Sequence, residues 1–257
     1  MVRIDRTKVE EVFKKYVEHY NSKDEKVRRK IEHTYRVAAL CEQIAKSIGC
    51  SKEEAELSWL TGMLHDVGRF EQLKNFGTFN DAQSIDHAAY GADILFKEGR
   101  IRDYLETNEE DELIENAVRY HSAYRLPESF DERTTKFADI LRDADKVDIL
   151  KVNVDFPLEE IYNVTTKELR SAEVTAEVLE SFRELHATLR SLKKTSVDNV
   201  VGHISLVFEL VYPESVRVVK EQGYLEKLLD FQSENAKTRE QFGEIRGIIE
   251  EYMRQVI

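Results

Sequence analysis

The sequence contains few residues that interrupt helices and little of the alternation that marks β-strands. Its 257 residues include three prolines and ten glycines, and the charged residues mostly recur at helical spacing. The two cysteines, Cys41 and Cys50, follow no metal-ligand or redox spacing, which is typical of thiols that stay reduced in a cytosol. These scarcities predict an all-α protein without a disulfide scaffold.

Long apolar segments are missing as well. Residues 1–6 lack the apolar stretch of a signal peptide. The most apolar late stretch, residues 200–212, is too short to cross a bilayer and contains His203 and Glu209. We therefore expect a cytoplasmic protein that does not cross a membrane.

The chain has fewer basic than acidic residues: 38 Lys and Arg and 50 Asp and Glu give a formal net charge of −12. This balance argues against a protein that binds bulk nucleic acid through its backbone. It is compatible with a nucleotide substrate, because the charge of a metal site overrides the global balance locally. With 41% hydrophobic and 34% charged residues, the chain has the composition of a soluble globular protein.

The most informative stretch is residues 60–69, where His65 and Asp66 end an apolar run and Gly68 follows. Ser51 begins a capping box that predicts a helix over residues 51–65, apolar around most of its circumference and therefore buried. An unpaired carboxylate delivered at the end of a buried helix is costly. A divalent metal, or a cation such as Arg36, would remove that cost. Taken alone, the pair is better explained as a helix end with a polar cap.

Three further histidines lie on other predicted helices or at their ends. His33 lies beside the apolar stripe of a helix that stops at Gly49, His87 opens a helix at residue 86, and His121 ends a helix over residues 109–121. Each has an ordinary explanation by itself: a half-buried surface residue, a cap, or a cation favoured at a helix C-terminus. The remaining histidines are isolated and are interpreted as surface or structural residues: His19, His186 and His203.

Asp145 lies in a predicted helix over residues 131–150, on the side that should face the core. A buried carboxylate there needs a partner. A salt bridge to Arg142 or Lys146 is one option, and metal ligation is the other.

These residues together form a nitrogen- and oxygen-rich ligand set delivered by separate helices: His33, His65, Asp66, His87, His121 and Asp145. Six such ligands exceed what one tetrahedral metal needs. They suit two six-coordinate ions that share a bridging carboxylate and keep positions open for water and substrate.

The order and local contexts of the six ligands resemble the HD-domain superfamily of metal-dependent phosphohydrolases. The pattern is a lone His, a His-Asp pair, two optional histidines and a late Asp, and it covers residues 25–150. The resemblance implies an HD-domain helical bundle over residues 1–156. Residues 157–257 would form additional C-terminal helices packed on it within the same compact unit.

Carried over to this chain, the resemblance implies a first metal held by His33, His65, Asp66 and Asp145. Asp66 would bridge to a second metal held by His87 and His121, which places the chain in the dinuclear branch. The sequence departs from many members by having Arg69 after the glycine, where they have Lys. It also lacks the Gly-Tyr-Pro signature of the cyclic-di-GMP phosphodiesterase subgroup, so that substrate is not assigned.

We therefore expect hydrolysis of a phosphate mono- or diester of a nucleotide or another small phosphorylated molecule. Two divalent ions (manganese, iron, magnesium, cobalt or nickel) would activate the water. Asp66 would take part directly, Arg69 and Lys146 would contact the phosphate, with Arg36 as a weaker candidate, and a loop over residues 70–84 would cover the substrate.

The main alternative is a non-catalytic nucleotide-sensing or partner-binding HD module, whose expected sign is the loss of a ligand. The charged C-terminal helix allows a homodimer.

Overall fold

The computed structural model describes residues 2–21 and 23–256, and every regular element within these ranges is a helix. This confirms the predicted all-α class. The chain divides into two compact units between Asp145 and Lys146. The division falls earlier than the predicted domain boundary at residues 156 and 157, which stays a prediction.

The first unit carries seven α-helices and the start of an eighth among its described residues. Their bounds are α1 Arg6–Val17, α2 Glu25–Ser47, α3 Lys52–Leu64, α4 Val67–Phe76, α5 His87–Ala92, α6 Ile101–Tyr104, α7 Asp111–Tyr120 and α8 Glu132–Asp155. A short 3-10 turn at Asp81–Gln83 precedes α5, and a π turn at Asp93–Lys97 continues it. The division between the units falls inside α8.

Helix α3 begins as its sequence predicts. The hydroxyl of Ser51 accepts from the amide of Glu54, and the Glu54 carboxylate accepts in return from the amide of Ser51. From Leu57 to Leu64 every residue of the helix is buried. The helix therefore lies inside the core, and it carries His65 and Asp66 at its buried end.

The prediction of a loop over residues 70–84 is wrong for its first half. Helix α4 begins directly after Asp66 and continues to Phe76, where Gly77 ends it with a left-handed φ of 70°. Phe70 packs against the rings of Phe13, Tyr16 and Tyr20, so tertiary packing stabilises a helix that has only a weak apolar repeat in its sequence.

Close approach of α2 and α3 depends on Gly62. A Cβ at Gly62 would lie 2.6 Å from Cα and 2.9 Å from N of Ala38, so no larger residue fits between the two backbones. This contact brings the faces that carry His33 and His65 together.

The second unit is also helical throughout its described residues. After the end of α8 it contains α9 Leu158–Tyr162, α10 Thr166–Ser171, α11 Ala176–Arg183, α12 Val197–Ile204, α13 Pro213–Gln222, α14 Tyr224–Leu229 and α15 Ala236–Val256. Its core includes Phe182, Val201 and Ile245, each without exposed surface. The buried carboxylate of Asp198 accepts from backbone amides of residues 175, 194 and 195.

None of the helices in the described part of the chain combines the length and apolarity that crossing a membrane requires.

Candidate metal centre

Asp66 lies at the centre of the site, and its two carboxylate oxygens face two different pairs of histidines. Oδ2 lies 3.5 Å from Nε2 of His33 and 3.3 Å from Nε2 of His65. Those two imidazole nitrogens are 3.2 Å apart. The three side chains are almost completely buried, and their donor atoms lie within 4.8 Å of one another.

The second oxygen of Asp66 faces the other two histidines. Oδ1 lies 3.5 Å from Nε2 of His87 and 3.8 Å from Nε2 of His121. The two nitrogens are 3.1 Å apart, and this group is also buried. The Asp66 carboxylate therefore belongs to two separate groups of side chains that could each hold a metal ion.

Helix ends fix the orientation of two of the imidazoles. His65 and His121 each follow the last residue of a helix, and each donates from Nδ1 to a carbonyl one turn back, that of Gly62 or Val118, at 2.7 Å. These carbonyls belong to the last helical turn, where acceptors lack partners within the helix. Because Nδ1 donates to the carbonyl, Nε2 is the ring nitrogen left for a metal ion, and in both residues it faces Asp66.

His87 reaches Asp66 because α4 and α5 touch through glycines. A Cβ at Gly68 would lie 2.3 Å from the carbonyl oxygen of His87 and 2.6 Å from the amide nitrogen of Gly91. No side chain fits in that space. Asp86 starts α5 by accepting from the amides of Ala88 and Ala89, which places His87 in the first turn beside the contact.

Asp145 joins the first group from helix α8. Its Oδ1 lies 3.2 Å from Nε2 of His33 and 3.8 Å from Nε2 of His65. The predicted alternative partner Arg142 donates to the backbone carbonyls of Tyr120 and Ala123, at the end of α7 beside His121.

Lys30 was not predicted from the sequence, although it lies one helical turn before His33. Its ammonium donates to Oδ2 of Asp66 and is largely buried. The spacing of three residues that places Lys30 and His33 on one face of α2 is the signal that could have identified it.

Arg69 lies beside the second group and is held by three acceptors. Its Nη1 donates to Oε1 of Gln72, to the carbonyl of Phe79 and to Oδ1 of Asp81, all at 2.7 or 2.8 Å. Its Nε is buried 3.7 Å from Oδ1 of Asp66 and has no hydrogen-bond partner in the part of the chain that the structure describes. This donor therefore faces the carboxylate at the centre of the site.

Asp81 was also not predicted from the sequence. Its Oδ2 accepts from Nδ1 of His87 at 2.8 Å, while Oδ1 accepts from Arg69 and, at 2.9 Å, from Nε2 of Gln72. Histidine ligands of metals commonly donate their other nitrogen to a carboxylate in this way. Asp81 lies outside any periodic pattern, and no local signal pointed to it.

The carboxylates at the site are ionised. Burial raises the pKa of Asp66, but the Lys30 ammonium and the surrounding imidazoles lower it more, so the pKa lies well below its ordinary value. Desolvation also raises the pKa of Asp145, but the imidazole of His33 outweighs it and the pKa is lowered. At Asp81 desolvation is likewise outweighed by the imidazole of His87, together with the Arg69 charge, and the pKa is lowered in the same way.

The histidines of the second group are neutral. Burial lowers the pKa of His121 to about 3, with His87 and His65 adding repulsion. Burial and the Arg69 charge also lower the pKa of His87, against the opposing effect of Asp81. Neutral imidazole is the form that binds a metal.

The donor set fits divalent ions. His87 and His121 both use Nδ1 as a donor, so two Nε2 lone pairs face each other at 3.1 Å with no proton between them. Two nitrogens bound at about 2.1 Å and at right angles to one ion would be about 3.0 Å apart. The cluster can therefore hold a metal ion.

The remaining predicted residues lie as follows. Lys146 belongs to the second unit, where its ammonium donates to the carbonyl of Glu209 at 3.4 Å. Arg36 is half-buried on α2. Phosphate contacts from either residue stay a prediction.

Comparison with known proteins agrees with this geometry. Residues 31–150 match the family model of the HD domain. The chain is also similar to a 3'3'-cGAMP-specific phosphodiesterase 1 of Vibrio cholerae serotype O1, with 32% identity over 81 residues. That match covers 30% of this chain and 19% of the relative, so the chain aligns with about a fifth of the relative's length. No solved structure matches significantly.

Proposed function

We propose that the chain is a metal-dependent phosphohydrolase that cleaves a phosphate mono- or diester of a nucleotide or another small phosphorylated molecule. The observation that carries this proposal is the position of Asp66, whose two oxygens face two separate histidine pairs. The HD domain and the similarity to a phosphodiesterase support it.

In this proposal His33, His65, Asp66 and Asp145 hold one divalent ion, and Asp66, His87 and His121 hold the other. Bound there, the ions would acidify a water molecule and neutralise charge on the phosphoryl oxygens. Manganese, iron, magnesium, cobalt and nickel all suit such ligands.

The chain's own cations complete the phosphate site. The buried Nε of Arg69 has no hydrogen-bond partner among the described residues and can donate to a phosphate oxygen beside Asp66. The Lys30 ammonium donates to Oδ2 of the same carboxylate and is a second candidate for contact with the phosphate. Lys146 is a further candidate for this role.

The experiment is elemental analysis of the purified full chain, combined with hydrolysis assays in added Mn²⁺. The substrates are a chromogenic phosphodiester, its monoester counterpart, and a panel of mononucleotides and cyclic dinucleotides. We expect near two metal ions per chain, turnover in the wild type and none in His65→Ala. His186→Ala is the matched control, because it removes an exposed histidine that is not one of the six predicted ligands.

Turnover that survives in His65→Ala, or a wild-type chain that binds no metal after reconstitution, would contradict the proposal. Bound metal without turnover of any substrate would favour the nucleotide-sensing alternative.

A further inference from the structure

Asp81 connects the two parts of the proposed site, the metal ligands and the phosphate-binding cation. One carboxylate oxygen accepts from His87 and the other from Arg69. We propose that Asp81 is a positioning residue that holds His87 in the tautomer able to bind the second metal and fixes Arg69 beside that metal. This inference rests on the two-metal function proposed above.

The contact with His87 selects the tautomer of that ring. An ionised carboxylate only accepts, so Nδ1 of His87 must carry the proton and Nε2 must present its lone pair. Nε2 is the atom that faces Oδ1 of Asp66 and Nε2 of His121. Without the carboxylate, the ring is free to carry its proton on Nε2, which cannot then bind a metal.

The contact with Arg69 is built into a buried network. Gln72, which has no exposed surface, donates to Oδ1 of Asp81, to the hydroxyl of Ser84 and to the carbonyl of Ile85, and accepts from Arg69. The two hydrogen-bond partners of Asp81 Oδ1 among the described residues, Arg69 and Gln72, are both donors. This network holds the segment between α4 and α5 in one position, so that Asp81 cannot move away from His87 without losing these bonds.

The variant Asp81→Asn tests the tautomer directly, because it keeps the shape and removes one acceptor. Two donors, one of them cationic, surround Oδ1, so the amide oxygen will take that place. The amide NH₂ then faces Nδ1 of His87, which must become an acceptor, and the proton moves to Nε2. The second metal position loses a ligand while the first keeps its full set.

The measurement is titration of Mn²⁺ into the metal-free full chain by calorimetry, with electron paramagnetic resonance of the loaded protein. In the wild type we expect two Mn²⁺ ions and the spectrum of a spin-coupled pair. In Asp81→Asn we expect the second site to weaken by about 10- to 100-fold and the first to change by less than about threefold, with an uncoupled spectrum.

Asp86→Asn is the matched control. It makes the same charge change five residues away and keeps an acceptor that can cap α5, so it should retain two coupled ions. Asp81→Glu keeps the carboxylate, and we expect it to recover part of the second site.

Equal Mn²⁺ binding by the wild type and Asp81→Asn would overturn the inference and leave the proposed function standing. Equal loss of both sites, with a lower melting temperature, would also overturn it, because the role would then be structural only. Absence of a second Mn²⁺ from the wild type itself would overturn the two-metal function together with this inference.

Discussion

The ammonium of Lys30 donates to Oδ2 of Asp66, the carboxylate oxygen that also faces His33 and His65. The contact joins α2 to the residue that follows the end of α3. It gives a buried carboxylate the cation that its burial requires. Since a divalent ion would lie against the same oxygen, Lys30 and the metal compensate the same charge.

Replacing Lys30 with methionine should therefore have a different effect with and without metal. In a chelator, Lys30→Met leaves Asp66 without its cation, and we expect a loss of about 3–5 kcal/mol in the free energy of unfolding. Saturating Mn²⁺ should remove most of the difference from the wild type. Urea unfolding in EDTA and in Mn²⁺ measures both values.

Lys26→Met is the control, because Lys26 is exposed one turn earlier on the same helix. It should cost less than about 0.5 kcal/mol in either condition. A loss for Lys30→Met that is the same in EDTA and in Mn²⁺ would mean that the two cations act independently.

Gly68→Ala should damage the second half of the site. The new methyl group would collide with the carbonyl of His87 and the backbone of Gly91, so α5 must move away from Asp66. We expect a loss of about 1–3 kcal/mol in stability together with weaker binding of one Mn²⁺. Thermal unfolding and Mn²⁺ titration measure the two effects.

Gly243→Ala is the matched comparison, since nothing lies within 4 Å of the added Cβ. Inside a helix this change should stabilise the protein by about 0.5–1 kcal/mol. If Gly68→Ala were equally harmless, the close approach of α4 and α5 would not be what positions His87.

Changes at Arg69 should affect turnover in proportion to the donors that remain. Arg69→Lys keeps the positive charge but loses the planar fork and the Nε donor. We expect kcat/KM on the chromogenic phosphodiester to fall by about tenfold, and by considerably more in Arg69→Ala. Steady-state kinetics at saturating Mn²⁺ provide the comparison, and an unchanged kcat/KM in Arg69→Ala would exclude a role in phosphate binding.

The buried His203 should make the stability of the second unit depend on pH. Burial, aided by Lys193, lowers the pKa of His203 to about 3, and the hydroxyl of Tyr162 lies 3.2 Å from its Nδ1. The unfolded chain takes up a proton near pH 6.5, whereas the folded chain does not until about pH 3. The contribution to stability is therefore complete above pH 6.5 and falls with pH by up to about 1.4 kcal/mol per unit.

His203→Gln should accordingly lose less stability between pH 7 and pH 5 than the wild type loses. Urea unfolding of metal-free protein at the two pH values tests this. His19→Gln is the control, because His19 is exposed and its replacement should leave the wild-type dependence unchanged. An equal loss in His203→Gln and the wild type would contradict the prediction.

The sequence determined which residue types the candidate site offers and which helices carry them. Ser51 and Glu54 set the start of α3, its apolar circumference buried it, and the helix ends placed His65 and His121. These features are local, because caps and periodic apolar residues act within a few positions of the chain. The six predicted ligands could be read from such signals together with the family resemblance.

Only the tertiary structure decided how the site is completed. Lys30 meets Asp66 across 36 positions of the chain, and Asp81 meets both Arg69 and His87 through a segment without any repeat. Helix α4 forms where the sequence indicated a loop. The reason is that Phe70 packs against the rings of Phe13 and Tyr16 in α1 and of Tyr20, which follows α1. Contacts of this kind depend on which helices approach each other. Gly62 and Gly68 allow two helix pairs to approach closely, because each glycine lies against the backbone of a neighbouring helix. No local sequence pattern specifies which helix that neighbour is.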